Sequence, residues 1–209
     1  MTKVSHGLWL GDAPLLLASK SAARQGLLAA AGIPFEALAS GIDERDIEAP
    51  LLAKGAIADT IAAHLARAKA ETVAQRHKGR LVLGADQTLE FAGRLLAKPA
   101  TQAEARAQLL SFSRRSHNLH SALCLMRDET VLFAAVDFAR LTCRPFTADF
   151  VDRYMAIAGD AVLATVGAYQ IEGLGIQLFD KIEGDYATIM GLPLLPLLAY
   201  LRREGLLVS

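Results

Sequence analysis

The sequence predicts an α/β fold, because short apolar runs of strand length alternate with segments whose apolar residues recur at helical spacing. Leu15–Ala18 is one such run and leads into AARQGLLAAAG, which reads as a helix. Leu81–Leu83 is a second, and it follows a long stretch near 54–76 in which Ile57, Ile61, Leu65 and Ala68 fall on one helical stripe. Two further apolar segments, 122–126 and 131–143, flank Asp128-Glu129 and read as an antiparallel hairpin in a central sheet.

The chain of 209 residues is long enough for one domain or two small lobes, and its 53% hydrophobic residues suffice for a sizeable core. Its 22 basic and 22 acidic residues give a formal net charge of +0, which argues against a nucleic-acid polymer or an anionic membrane as a bulk electrostatic partner. Any anion must be met by local charges. Cys124 and Cys143 lie in apolar segments without a CxxC neighbour, as buried reduced thiols do. Gly7, Gly11, Asp12 and Pro14 interrupt the N-terminal apolar residues, and the most apolar window, Leu192–Leu201, is about half the length a bilayer needs. A cytoplasmic protein is expected.

Residues 1–13 read as a loose N-terminal extension to a single domain over 1–209. The strand at Leu15–Ala18 stops at Ser19-Lys20-Ser21, where Ser21 can cap the following helix and Gly32 can end it. Strand, hydroxyl-rich turn and helix N-terminus make a natural phosphate site, to which Arg24 adds a full charge; Ser19 and Ser21 could equally be plain caps. After Ile33-Pro34-Phe35 a second strand leads to Gly41–Asp46, which reads as an acidic loop. On the long helix that follows, Lys69 sits at the edge of the apolar stripe, placed either to snorkel or to present its ammonium at a core boundary.

Leu81–Leu83 reads as a buried strand narrowing at Gly84-Ala85 and ending at Asp86. A carboxylate there must be paired, bound to metal or solvated. Gly93–Leu96 returns the chain to Lys98-Pro99, so an acid and a base from one hairpin could face a common opening. Thr101 and Glu104 form a capping box for a helix over 101–111. His117 and His120 have HxxH spacing, which on a strand points them to opposite faces and argues against a two-histidine metal site. A helix over 147–158 ends at Gly159-Asp160 and precedes a glycine-rich tract, 166–175, in which Glu172 is the one carboxylate. Ile182–Tyr186 reads as a turn between strands, and Gly191-Leu192-Pro193 opens the last helix.

Taken in order, LASKSAAR, Asp43-Glu44, LARAKA around Lys69, GADQ at Asp86, KP at Lys98, SH at His117, GAYQIEG and GLP resemble the Maf family of nucleoside triphosphate pyrophosphatases from about Leu15 onward. The resemblance implies a Maf/ITPase-like α/β fold: a long curved mixed sheet with flanking helices, two lobes and a central cleft. It implies hydrolysis of a nucleoside triphosphate to the monophosphate and pyrophosphate, a house-cleaning activity on non-standard nucleotides. Asp86 would be the proton acceptor and, with Glu44, a ligand of a divalent metal, Mg²⁺ or Mn²⁺. Lys69 and Lys98 would hold phosphate oxygens, with Ser19, Ser21 and Arg24 adding donors. Gln87 and Glu172 resemble the members acting on 7-methyl-GTP, whereas the dTTP/UTP type has Thr and Gln there. A Glu172 carboxylate can accept from a guanine's N1–H and amine together. Three departures are Ala22 in place of a proline, no second basic residue beside Arg24, and Arg114 in place of a glycine.

Alternatives are dTTP or UTP as substrate, a nucleotide-binding inhibitor of septum formation without turnover, and a serine hydrolase using Ser19 or Ser21 with His117 and Asp86. The last lacks a GxSxG elbow. The expected partner is the nucleoside triphosphate; family members are often dimers, which allows a homodimer.

Overall fold

A computed structural model describes residues 7–209. Among the described residues seven strands form one mixed sheet: β1 (Leu15–Leu17), β2 (Phe35–Ala37), β3 (Leu81–Phe91), β4 (Arg94–Leu96), β5 (Ser116–Arg127), β6 (Thr130–Cys143) and β7 (Phe179–Glu183). Their order is β2-β1-β3-β5-β6-β7, with β4 paired to β3. β1 runs parallel to β2 and β3, whereas β4 and β7 are antiparallel to their neighbours β3 and β6. The helices are α1 (Ala22–Ala30), α2 (Glu44–Ala53), α3 (Ala58–Arg76), α4 (Gln102–Phe112), α5 (Ala148–Ala158), α6 (Tyr186–Ile189) and α7 (Leu194–Arg203).

The chain forms two compact units. The first takes the described residues up to Gln87 with His120–Asp137 and Tyr186–Ser209; the second takes Thr88–Leu119 and Phe138–Asp185. In the first, strand alternation sorts the core. Leu15, Leu17, Leu83, Leu123 and Leu125 point to one face, where they pack with Leu28, Leu197 and Leu201. Leu16, Val82, Ala122 and Cys124 point to the other, against Ala62, Ala66, Ala70 and Val73 of α3. In the second unit Phe91 and Phe112 meet edge to face, and Phe112 stacks on His117.

The small residues of α3 allow close approach. A Cβ added at Gly84 would lie 2.0 Å from the Ala66 carbonyl oxygen and 2.7 Å from the Ala70 nitrogen, so β3 and α3 touch backbone to backbone. Gly84→Ala is expected to cost about 3 kcal/mol in chemical denaturation through this overpacking. It should also lower activity in the fraction that stays folded, since it drives α3 away from the strand next to Asp86.

Several expectations are corrected. Asp86 does not end a strand: β3 continues to Phe91 because Ala92-Gly93, with φ of 52° and 74°, supplies the left-handed turn that β4 needs to pair back. The acidic segment is a helix start, with the Asp43 carboxylate accepting from the Arg45 N–H at 3.0 Å. The long helix begins only at Ala58, and Ile57, expected on its buried stripe, is 66% exposed. Ile182–Tyr186 joins β7 to α6 rather than to another strand. Of the expected loose extension, residues 1–6 lie outside the described residues, while Trp9 bridges Leu207 and is 2% exposed in the core. The expected caps Ser21 and Thr101 are present, although Glu104 accepts from Ala100 rather than from Thr101.

Candidate active site

β1 delivers the chain to Ser19-Lys20-Ser21 at the N-terminus of α1. The Ser21 hydroxyl oxygen accepts from the Arg24 backbone N–H at 3.4 Å. That of Ser19 accepts from the Ser21 N–H and from Arg24 Nη1, each at 3.2 Å. Arg24 Nε donates to the Gly191 carbonyl at 2.7 Å, so the guanidinium is held at both Nε and Nη1. Burial presses the Arg24 pKa down, and the charges of Asp86 and Glu44 oppose that shift. The turn therefore fixes two hydroxyl oxygens against the backbone and against a buried cation.

Asp86, in mid-strand, is an even-numbered residue of β3 and so shares the α3 face with Val82 and Gly84. Lys69 reaches it from α3. The ammonium is bonded to the Asp86 carboxylate and lies 2.6 Å from Glu44 Oε1, with Lys69 7% and Asp86 6% exposed. α2 carries Glu44 at its first position, which is why the helix start replaces the expected loop in positioning it. Burial holds the Asp86 carboxyl above the usual carboxylate range, while Lys69 and Arg24 pull it back. Glu48, one helical turn after Glu44, is raised as well, by burial and then by repulsion from Glu44 and Asp86. Sequence reasoning missed Glu48; its i, i+4 spacing from Glu44 becomes visible once Asp43 is read as a helix cap.

Two carboxylates thus converge on one ammonium. Among the described residues no group of three or more His, Cys, Asp or Glu is arranged to hold a metal ion. The pair still suits a cation such as Mg²⁺, which is typically held by one or two carboxylates and completed by water and substrate phosphates.

Gln87, expected beside the base of the substrate, is bonded within the first unit. As the next residue of β3 it faces the opposite side of the sheet, and its amide nitrogen donates to Ser121 Oγ at 3.0 Å and to the Thr188 and Ile189 carbonyls at 3.1 and 2.9 Å. It ties β3 to α6. Ser19, Ser21, Arg24, Glu44, Lys69 and Asp86 therefore come together in the first unit, while Lys98 and Glu172 belong to the second. Lys98 is exposed beyond the end of β4, and Glu172 is exposed in the glycine tract. A serine hydrolase finds no support in the local bonding. His117 is buried against Phe112 with its Nε2 bonded to Tyr169, and burial lowers its pKa to about 4.

No helix of the described residues is long and apolar enough to cross a membrane. A family model described as Maf-like protein matches residues 14–204. A protein of Nitrobacter winogradskyi named nucleoside triphosphate pyrophosphatase is 52% identical over 201 residues, covering 96% of this chain and 98% of its own. One of Rhodopseudomonas palustris with the same name is 54% identical over 202 residues, with the same coverage. A Brucella suis protein named 7-methyl-GTP pyrophosphatase is 50% identical over 190 residues, covering 91% of this chain and 96% of its own. Among solved structures, a HAM1 protein from Coxiella burnetii matches with a TM-score of 0.37 and 20% identity over 62% of this chain and 72% of its own.

Proposed function

The chain belongs to the Maf family of nucleoside triphosphate pyrophosphatases, and from that membership we propose that its substrate is 7-methyl-GTP, cleaved to the monophosphate and pyrophosphate. The observation that carries the mechanism is the single Lys69 ammonium shared by Asp86 and Glu44. A polyanionic triphosphate competes for that ammonium, and its arrival frees Asp86 to accept a proton. Water attacks the α-phosphorus, its proton passes to Asp86, and the bond from the α-phosphorus to the bridging oxygen breaks with pyrophosphate leaving. Lys69, Lys98 and Arg24 neutralise the charge on the phosphates, and the hydroxyls of Ser19 and Ser21 bond their oxygens. A divalent cation, Mg²⁺ or Mn²⁺, held by Glu44 and Asp86 supplies further charge neutralisation when bound.

The base is read by Glu172, with Gln87 the other position of the same specificity pair. Its carboxylate accepts from the N1–H and exocyclic amine of a guanine, and methylation at N7 gives the ring a positive charge that a carboxylate favours further. The name of the Brucella suis relative agrees with this choice. The test is pyrophosphate release from a panel of canonical and modified triphosphates. Hydrolysis of 7-methyl-GTP is expected to exceed that of dTTP and UTP by about 10²-fold in kcat/KM. A preference for dTTP or UTP would leave the pyrophosphatase standing and remove this choice of base.

A further inference from the structure

The glycine tract that carries Glu172 is held by a buried polar contact that the hydrolytic chemistry does not use. Tyr169 and His117 are both buried and bonded through Oη and Nε2 at 2.7 Å, inside an aromatic box of Phe112 and Phe179. His117 Nδ1 is buried without a hydrogen-bond partner among the described residues. An apolar pair would fill this box without an orphaned polar atom, so the contact is poorly explained as a source of stability.

It has a clear geometric consequence. Thr165 grips the Tyr169 backbone at both ends: its hydroxyl donates to the Tyr169 carbonyl at 2.9 Å and accepts from the Tyr169 N–H at 3.1 Å. Gly167 lies so close to the ring that an added Cβ would sit 2.3 Å from Tyr169 Cε1. The next carbonyl, that of Gln170, accepts from the N–H groups of both Gly173 and Gly175, at 3.2 and 3.1 Å, closing the turn from which Glu172 projects. An added Cβ at Gly175 would lie 2.5 Å from that same Gln170 oxygen. With so little slack, fixing the Tyr169 ring fixes the residues that follow it.

We propose that the His117–Tyr169 hydrogen bond is a pin that positions the Glu172 carboxylate, and that these two positioning residues thereby set the discrimination between purine and pyrimidine triphosphates. The inference rests on the reading of Glu172 as the base-recognising group. In Tyr169→Phe the ring remains and the hydroxyl is lost. KM for 7-methyl-GTP is expected to rise about tenfold with kcat within about twofold, and the preference over dTTP to fall by a similar factor.

The double variant Tyr169→Phe/His117→Phe separates positioning from bulk stability. With both polar partners replaced by apolar rings, its Tm should recover toward that of the parent while the discrimination stays low. Discrimination that returns together with Tm would overturn the pin, as would a folded Tyr169→Phe whose preference is unchanged. Glu172→Ala is the reference. If it leaves the preference intact, the base reading falls and takes the pin with it. If it removes the preference while Tyr169→Phe does not, only the pin falls.

Discussion

Asp86→Asn is expected to lower kcat by about 10³-fold, because the amide keeps the carboxylate's shape but cannot accept the proton of the attacking water. Folding should survive the change: Lys69 retains Glu44 at 2.6 Å, and Asn fills the same volume on the α3 face. Binding should survive too, since removing a negative charge lessens repulsion of the triphosphate. Rapid-quench turnover and equilibrium binding of 7-methyl-GTP to the same preparation would check both halves. Lost turnover with intact binding is the expected pair. Undiminished turnover would remove Asp86 from the chemistry. The variant also separates hydrolysis from any effect on septum formation that depends on nucleotide binding alone.

Lys69→Met should have the second largest effect, on stability as well as rate. The methionine preserves the apolar stem, so the change isolates the ammonium. Asp86, 6% exposed, is then left without its direct partner, a situation that costs about 3–5 kcal/mol when the charge is fully buried. Arg24, whose charge also acts on Asp86, offsets part of that. The sign of the pH dependence follows from burial. With the cation gone the folded-state pKa of Asp86 rises further above its unfolded value, so the folded state holds the extra proton and stability falls as pH rises. The gap to the parent protein, measured by denaturant titration, should therefore be widest near neutrality and narrow as the solution is acidified. Adding Asp86→Asn to Lys69→Met should recover most of the loss, and a strictly additive double variant would show that the two side chains are not coupled. Catalysis should fall by about 10²-fold in kcat/KM from the missing phosphate contact.

What could be read from the sequence was what local chemistry decides. Ser21 capping α1 beside Arg24 follows from residue type and position alone, as does Thr101 at the start of α4. Asp86 and Lys69 could be named as an acid and a base near a core boundary, but their pairing depends on α3 lying against β3, which no spacing reveals. The contacts of Gln87 are hidden in the sequence for a related reason. Its side is fixed by β3 continuing past Asp86, and the glycine and acid at 84–86 look like an ending until the Ala92-Gly93 turn shows what the strand returns to. The helix at 44–53 was obscured because acidic clusters are usually solvated turns, and Trp9 because its partner, Leu207, is at the far end of the chain.

The backbone contact at Gly84 bears on how such a site could be moved to another protein. Grafting Glu44, Lys69 and Asp86 onto a generic strand and helix would fail, because ordinary side chains at the junction would hold the two elements several ångströms too far apart for an ammonium to meet a buried carboxylate. The portable unit is the seam itself, Gly84 against Ala66 and Ala70, and a designer would have to copy its missing atoms before its charged ones.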